Sequence, residues 1–244
     1  WTGKKTLNSF ESNFNLGKLA PIKQGLATAN NDLFLRLWHE PSLSSIGFNI
    51  SSINDSRQSL KKWFPYNKGG DWRKWYGNCD YMVNWEDDGR LIRNFKDQYG
   101  NVRSRPQNTK YYFQEGITWG DITTKSFAAR FTPQGFIFDV KGSSGFPSQK
   151  NLLRIIALMN SKLMFGFMQI LNPTSTFQVG DISRIPLISL CDNETTVNKN
   201  SSRLIFLARQ NWDSYETSWD FTTLPLLHSD YGYKLSGSYA QLRA

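Results

Sequence analysis

The chain has 244 residues, enough for one large domain or two small ones around a true hydrophobic core. A hydrophobic fraction of 39%, a charged fraction of 20% and a mean hydropathy of -0.50 exclude a peptide or a disordered chain and describe a soluble, globular one rich in aromatic residues. Lys and Arg outnumber Asp and Glu by 29 to 20, giving a net charge of +9, so a polyanionic partner is expected; the chain carries no basic amphipathic helix with an aromatic underside and no lipidation signal, which favours nucleic acid over a membrane surface.

Cys79 and Cys191 lie far apart without a Cys-x-x-Cys pattern, and His39 and His228 stand singly, so neither a zinc nor a redox motif is present. Two free thiols and no opening signal peptide point to the reducing cytosol, and Trp1 in place of Met points to a piece of a longer protein.

In chain order, Leu19, Pro21 and Ile22 precede a turn at Gly25, Thr28 to Asp32 is polar, and the apolar run Leu33 to Trp38, broken by Arg36, is expected as a strand. Residues 41–60 suggest one strand at Ile46 to Ile50. Lys61 to Tyr76 then interleaves cations with aromatics: Lys61, Lys62, Lys68, Arg73 and Lys74 alternate with Trp63, Phe64, Tyr66, Trp72, Trp75 and Tyr76 around the turn Lys68-Gly69-Gly70. This composition suits a loop that reaches into a polyanion, and equally one whose rings pin it to the core.

Asp80 to Trp85 alternates as a strand does, and Glu86-Asp87-Asp88-Gly89 is a turn leading into a helix through Arg90 to Phe95. Residues 99–110 form a second basic loop with Arg103, Arg105 and Lys110. Gly116 to Trp119, Ser126 to Thr132 and Gly135 to Lys141 are expected as consecutive strands, the last two joined by the turn Thr132-Pro133-Gln134-Gly135. Arg130 inside its strand calls for an ion pair, a base or a phosphate. Lys150 to Leu171 has helical periodicity with a bend near Asn160 to Lys162, and is too polar at its middle for a membrane span. Gln178 to Ile188 is expected to be extended, 192–200 a linker, and a helix capped by Ser201 or Ser202 to carry Leu204, Ala208, Trp212, Tyr215 and Trp219 along one side.

No catalytic motif is complete. Asn172-Pro173-Thr174-Ser175 begins like the tetrapeptide of amino-methyltransferases but lacks its second proline and aromatic, so a turn is expected there. Gly142-Ser143-Ser144-Gly145 is neither a nucleophile elbow nor a phosphate loop. Asp121 with Asp139-Val140-Lys141 loosely imitates the acids and lysine of metal-dependent nucleases, which keeps a nuclease as a minor alternative.

Several strings share one resemblance. Gly25-Leu26-Ala27-Thr28 with Asn31, Phe34 and Arg36, Trp63-Phe64-Pro65-Tyr66-Asn67-Lys68-Gly69-Gly70, Arg73-Lys74-Trp75-Tyr76-Gly77-Asn78, Asn84-Trp85-Glu86-Asp87-Asp88-Gly89, Thr118-Trp119-Gly120-Asp121-Ile122, Phe177-Gln178-Val179-Gly180-Asp181-Ile182 and Trp212-Asp213-Ser214-Tyr215-Glu216 resemble the C-terminal half of the PglX family, the adenine-specific DNA methyltransferases of BREX phage-defence systems. The layout is also similar to target-recognition domains of type I specificity subunits and single-chain type II restriction-modification enzymes.

The resemblance implies a mixed α/β target-recognition domain over 14–190, with a mainly antiparallel sheet and packed helices, followed by a helical spacer or docking segment over 201–244. It implies that the parent transfers a methyl group from S-adenosylmethionine to adenine, with the catalytic and cofactor-binding residues outside this chain, and that this segment chooses the site on double-stranded DNA. Partners would be the parent's methyltransferase domain and other BREX proteins. Arg73, Lys74, Arg103, Arg105 and Lys110 are the leading DNA contacts, Lys62 and Lys68 phosphate partners, and Asn67, Asn78 and Gln107 the base readers. Trp75 and Tyr76 either fill the stack vacated by a flipped base or are buried in the core. A protein-interaction module that docks other defence components is the competing class.

Overall fold

The computed structural model describes residues 3–11, 14–122, 125–187 and 194–225. Helix α1 (Lys4–Glu11) and the short α2 (Leu16–Leu19) precede β1 (Ile22–Lys23), α3 (Asn31–Phe34), β2 (Leu35–Leu37) and α4 (Ile53–Gln58). Next come β3 (Trp63–Asn67), β4 (Tyr81–Asn84), α5 (Glu86–Arg93), β5 (Gly116–Trp119), β6 (Ala129–Thr132), β7 (Ile137–Phe138) and β8 (Ser144–Gly145). Four helices follow: α6 (Gln149–Asn160), α7 (Lys162–Leu171), α8 (Val179–Ser183) and α9 (Glu194–Asp213).

The strands form two four-stranded sheets, one ordered β1-β8-β5-β6 and antiparallel throughout, the other ordered β2-β4-β3-β7 with only the β3–β7 pair parallel. This is the mixed α/β, mainly antiparallel architecture expected from the sequence. In the first sheet Ile117, Trp119 and Ala129 pack against Leu152, Ile155, Ile156 and Met159 of α6, with Met164 and Phe167 of α7 extending the same core. In the second, Phe64, Tyr66, Val83, Ile137 and Phe138 are buried with Phe34, Trp85, Tyr112 and Phe113. Each such ring or branched side chain contributes about 1.5–3 kcal/mol by leaving water, which is why the high aromatic content goes into the interior.

The helical periodicity of 150–171 resolves into α6 and α7 broken at Ser161, whose extended backbone (φ -79°, ψ 163°) ends one helix while its hydroxyl accepts from Met164 N at 3.3 Å to start the next. The acidic first turn of α5 is left-handed at Asp87, Asp88 and Gly89 (φ 51°, 58° and 72°), so regular helix begins only beyond them.

Several expectations give way. Trp63–Asn67 is a fully buried strand, not loop: a continuous apolar and aromatic run suits a strand covered on both faces. Pro65 is tolerated because β7 pairs only with Tyr66 and Asn67. Leu33 and Phe34 belong to α3, nucleated by Asn30, whose side chain accepts from Leu33 N at 3.0 Å, so β2 is shorter than the apolar run. Around 46–50 only Ile46 pairs, bridging Trp63, and Ser52 caps the unforeseen α4 by accepting from Asp55 N at 3.1 Å. The 126–132 strand begins at Ala129, and the 135–141 strand shortens to Ile137–Phe138 and joins the other sheet. Thr132-Pro133-Gln134-Gly135 does turn, at Gln134 and Gly135, but it leads from one sheet to the other. Gln178 to Ile188 contains α8, and residues from Glu194 onward are the first turns of α9, which packs along α6 and is tied to it by Arg154–Glu194 at 3.3 Å. Ser201 is buried inside that helix and caps nothing. Cys191, the rest of the expected linker before Glu194, and 226–244 of the expected helical segment lie outside the described residues.

Candidate nucleic-acid interface

The candidate surface is built on residues 24–31. Gly25 lies so close to β7 that a Cβ there would meet the Phe138 carbonyl oxygen at 1.8 Å. That approach lets Leu26 N donate to Phe138 O at 2.8 Å. On the other side Ala27 and Arg105 exchange both backbone hydrogen bonds, at 3.0 and 2.8 Å. Gln107 Nε2 donates to Gly25 O at 3.3 Å and Asn108 Nδ2 to Gln24 O at 2.9 Å, so the second basic loop is strapped along this segment.

Beyond Ala27 the chain turns through Ala29 (φ 63°), and Thr28 Oγ1 donates to Asn31 Oδ1 at 2.7 Å. Lys68 approaches the same turn from the end of β3: its Nζ donates to Asn31 Oδ1 at 3.1 Å and to Asp139 Oδ2 at 2.8 Å. Asp139 is buried and also accepts from Tyr66 Oη at 2.7 Å and Lys141 N at 2.6 Å. Burial, reinforced by the Asp139 carboxylate, holds the Tyr66 hydroxyl well above its ordinary range. The turn is thus bracketed by Arg105 through its backbone and by Lys68 through its side chain.

The cations of this surface differ in how far they are engaged. Arg105 is exposed and its guanidinium has no protein partner among the described residues. Lys110 is exposed with its ammonium 5.2 Å from the Tyr111 ring centre, and that ring stacks on Phe146 at 4.8 Å. Arg103 is 63% exposed and only loosely associated with Asp97, at 3.9 Å. Backbone N–H donors from the Asn101 turn hold the Asp97 carboxyl below its usual range.

The aromatic-cationic stretch is engaged elsewhere. Arg73 Nε donates to Tyr76 O at 3.0 Å, a terminal nitrogen donates to Asn211 Oδ1, and the guanidinium lies 5.0 Å from the Trp212 ring centre, so this residue fastens α9. Lys74 Nζ donates to Asn160 O at 2.8 Å at the end of α6, and burial pulls its pKa down. Trp75 packs partly buried on the first core, with left-handed backbone (φ 71°) that pairs with Ala129 and Phe131, and Tyr76 is buried. Lys62 is half-buried over Trp63.

Of the three expected base readers, Asn67 and Asn78 are buried, the first donating to Thr132 Oγ1 and the second to Gly69 O and Asp71 O. Neither presents an edge to solvent. Gln107 is half-buried and spent on Gly25. Asn31 is not among the site residues expected from the sequence, although the Thr28-x-x-Asn31 spacing, which lets the hydroxyl reach the amide across one turn, is a legible signal.

Arg130 is 2% exposed, forms no ion pair among the described residues and donates to Gly69 O at 3.0 Å, while burial pushes its guanidinium down to about 10. Asp121 and Asp139 face separate lysines, Lys141 at 3.0 Å and Lys68 at 2.8 Å. Among the described residues no group of three or more His, Cys, Asp or Glu could hold a metal ion, and no helix is long and apolar enough to cross a membrane.

No protein-family model matches the chain. It is 39% identical over 230 residues to the adenine-specific methyltransferase PglX of Lacticaseibacillus casei (strain Zhang), covering 93% of this chain and 19% of that protein. It is 36% identical over 231 residues to the adenine-specific methyltransferase BrxX of Escherichia coli O9:H4 (strain HS), covering 93% of this chain and 18% of that protein. Over 93% of its length the chain is thus similar to PglX-like proteins, and it spans just under a fifth of the length of these relatives.

Proposed function

We propose that this segment binds duplex DNA and takes part in choosing the site at which a PglX-like parent methylates adenine. The observation that carries the reading is the turn at Ala27–Asn31, to which Arg105 is paired through its backbone and Lys68 through its side chain, with the exposed Asn31 amide on the turn and the exposed Arg103 and Lys110 on the same basic loop as Arg105. Cations of this kind set register on phosphates, and an amide presented by the turn would meet a base edge. The parent would supply the S-adenosylmethionine site, the flipped-base pocket and the chemistry; no residue of this chain is assigned to them. A cytoplasmic location and contacts with other BREX proteins belong to the same reading.

A second reading has its own observation. Leu204 and Leu207, an i, i+3 pair on α9, are 39% and 43% exposed and Phe206 nearby is 52% exposed, apolar surface suited to docking another protein, so 14–190 would be the DNA-reading body and 201–244 the docking segment. The two readings are compatible on one chain.

Fluorescence anisotropy with duplex DNA across a salt series tests the first. Arg105→Ala with Lys110→Ala is expected to weaken binding at low salt about tenfold and to reduce the slope of log affinity against log salt by about one for each phosphate no longer neutralised. Unchanged binding in a folded double variant overturns the assignment of this surface, and no binding by the parent chain at low salt leaves docking as the function.

A further inference from the structure

We infer that Asn31 is a specificity-determining residue that reads a hydrogen-bond acceptor edge, that of guanine, through its Nδ2 group. This rests on the DNA-binding reading above and sharpens it to one residue and one base.

The orientation of the Asn31 amide follows from its neighbours. Lys68 Nζ lies 3.1 Å from Asn31 Oδ1, and an ammonium has only donors, so the oxygen must face the lysine. Thr28 Oγ1, 2.7 Å away, donates to the same oxygen. Nδ2 has no protein partner among the described residues, and Asn31 is exposed at the rim of a surface pocket of about 400 Å³ that Arg36, Lys68 and Tyr81 also line.

The amide is also held in place from within. Lys68 is tied at 2.8 Å to Asp139, whose side chain is 2% exposed and which accepts from Tyr66 Oη at 2.7 Å. A buried chain of hydrogen bonds from Tyr66 through Asp139 and Lys68 therefore fixes an exposed group, and a side chain fixed before binding loses little entropy when it meets its target.

An asparagine that is free on both ends pairs with adenine by accepting from N6 and donating to N7. Here the accepting end is already occupied, so Asn31 offers donors alone. In the major groove guanine presents two acceptors, O6 and N7, whereas cytosine presents a donor at N4, thymine a single acceptor at O4, and adenine sets its N6 donor beside N7. Donors alone favour guanine and disfavour cytosine. Arg36, in the same pocket, has one terminal nitrogen bound to Asp32 O and Leu35 O and its guanidinium 5.4 Å from the Trp63 ring centre, which leaves its other donors without a partner among the described residues.

Selection of duplexes from a randomised pool by the wild-type chain, Asn31→Ala and Asn31→Asp is the test, with circular dichroism to confirm that each folds. The wild type should enrich a motif in which at least one position is guanine. Asn31→Ala should lose preference at that one position, with about a tenfold loss on the wild-type site, while keeping the others and the salt slope. Asn31→Asp, which keeps an acceptor for Lys68 but turns the outward donor into an acceptor, should move the position from guanine towards cytosine. A motif unchanged in both variants overturns the inference and leaves the DNA-binding reading standing. A wild type that binds no duplex, or all duplexes alike, overturns the reading beneath it, and the inference with it.

Discussion

Lys68 closes on Asp139 at 2.8 Å while the carboxylate is 2% and the lysine 26% exposed, which makes this the most buried ion pair among the described residues. Removing the acceptor takes from Lys68 its charged partner, leaving it Asn31 Oδ1 at 3.1 Å, and deprives Tyr66 of one of its two acceptors, Leu26 O at 3.0 Å being the other. Asp139→Ala should therefore destabilise the chain by about 2–4 kcal/mol. Asp121→Ala, which removes a partner from a lysine 59% exposed, should cost under about 1 kcal/mol because solvent screens that pair. Urea melts of the two variants check the ranking; equal losses would mean that burial does not set the difference.

Arg73 serves as a fastener for α9 rather than as a free cation. Charge reversal there should lower the melting temperature. Arg73→Ala is expected to cost about 1–2 kcal/mol, and a double-mutant cycle with Trp212→Ala should show a coupling of about 0.5–2 kcal/mol from the ring contact at 5.0 Å. Additive losses would show that the two side chains do not support one another.

What is legible in the sequence is local. Gly116–Trp119 is found residue for residue, and the break at Ser161 is visible as polar residues interrupting a helical period. The mixed, mainly antiparallel class agrees with the expectation too. Trp63–Asn67 escapes a sequence reading because its flanking lysines make the whole stretch look exposed, while burial on both faces depends on β4, β7 and residues far away in sequence. The same blindness affects Asn67 and Asn78: their residue type suits base reading, yet only tertiary packing shows their amides turned inward. The exposure of Arg105 can be read from its polar surroundings, but its place next to the 24–31 segment follows from a backbone pairing with Ala27 that no periodicity announces.

Gly25 and Gly142 should be intolerant of even one added carbon. A Cβ at Gly25 would lie 1.8 Å from Phe138 O, and one at Gly142 would lie 2.1 Å from Asn67 O, backbone atoms that cannot swing aside. Either alanine variant is expected to lose about 3 kcal/mol or more. Gly100, where nothing lies within 4 Å, has no such obstacle, and its alanine variant should suffer only from its left-handed backbone (φ 82°), at about 1 kcal/mol. Thermal melts should separate the three; a mild Gly25→Ala would mean that the 24–31 segment can move off β7.

Alkaline lability should trace first to Cys79. Burial pushes its thiol up to about 12 from an ordinary value of 9.0, so the folded chain keeps a proton that the unfolded chain releases. Between those two values the unfolded state binds fewer protons than the folded one, and stability falls as pH rises, by up to about 1.4 kcal/mol for each pH unit above 9. Tyr66, Tyr76 and Tyr112 are also raised by burial, from an ordinary 10.0, and add to the fall only at higher pH. Cys79→Ala should therefore flatten the loss of stability between about pH 9 and 10 while leaving the tyrosine-driven loss above that range. Denaturant melts at half-unit steps of pH decide it, and an identical alkaline slope in variant and wild type would remove Cys79 as the cause.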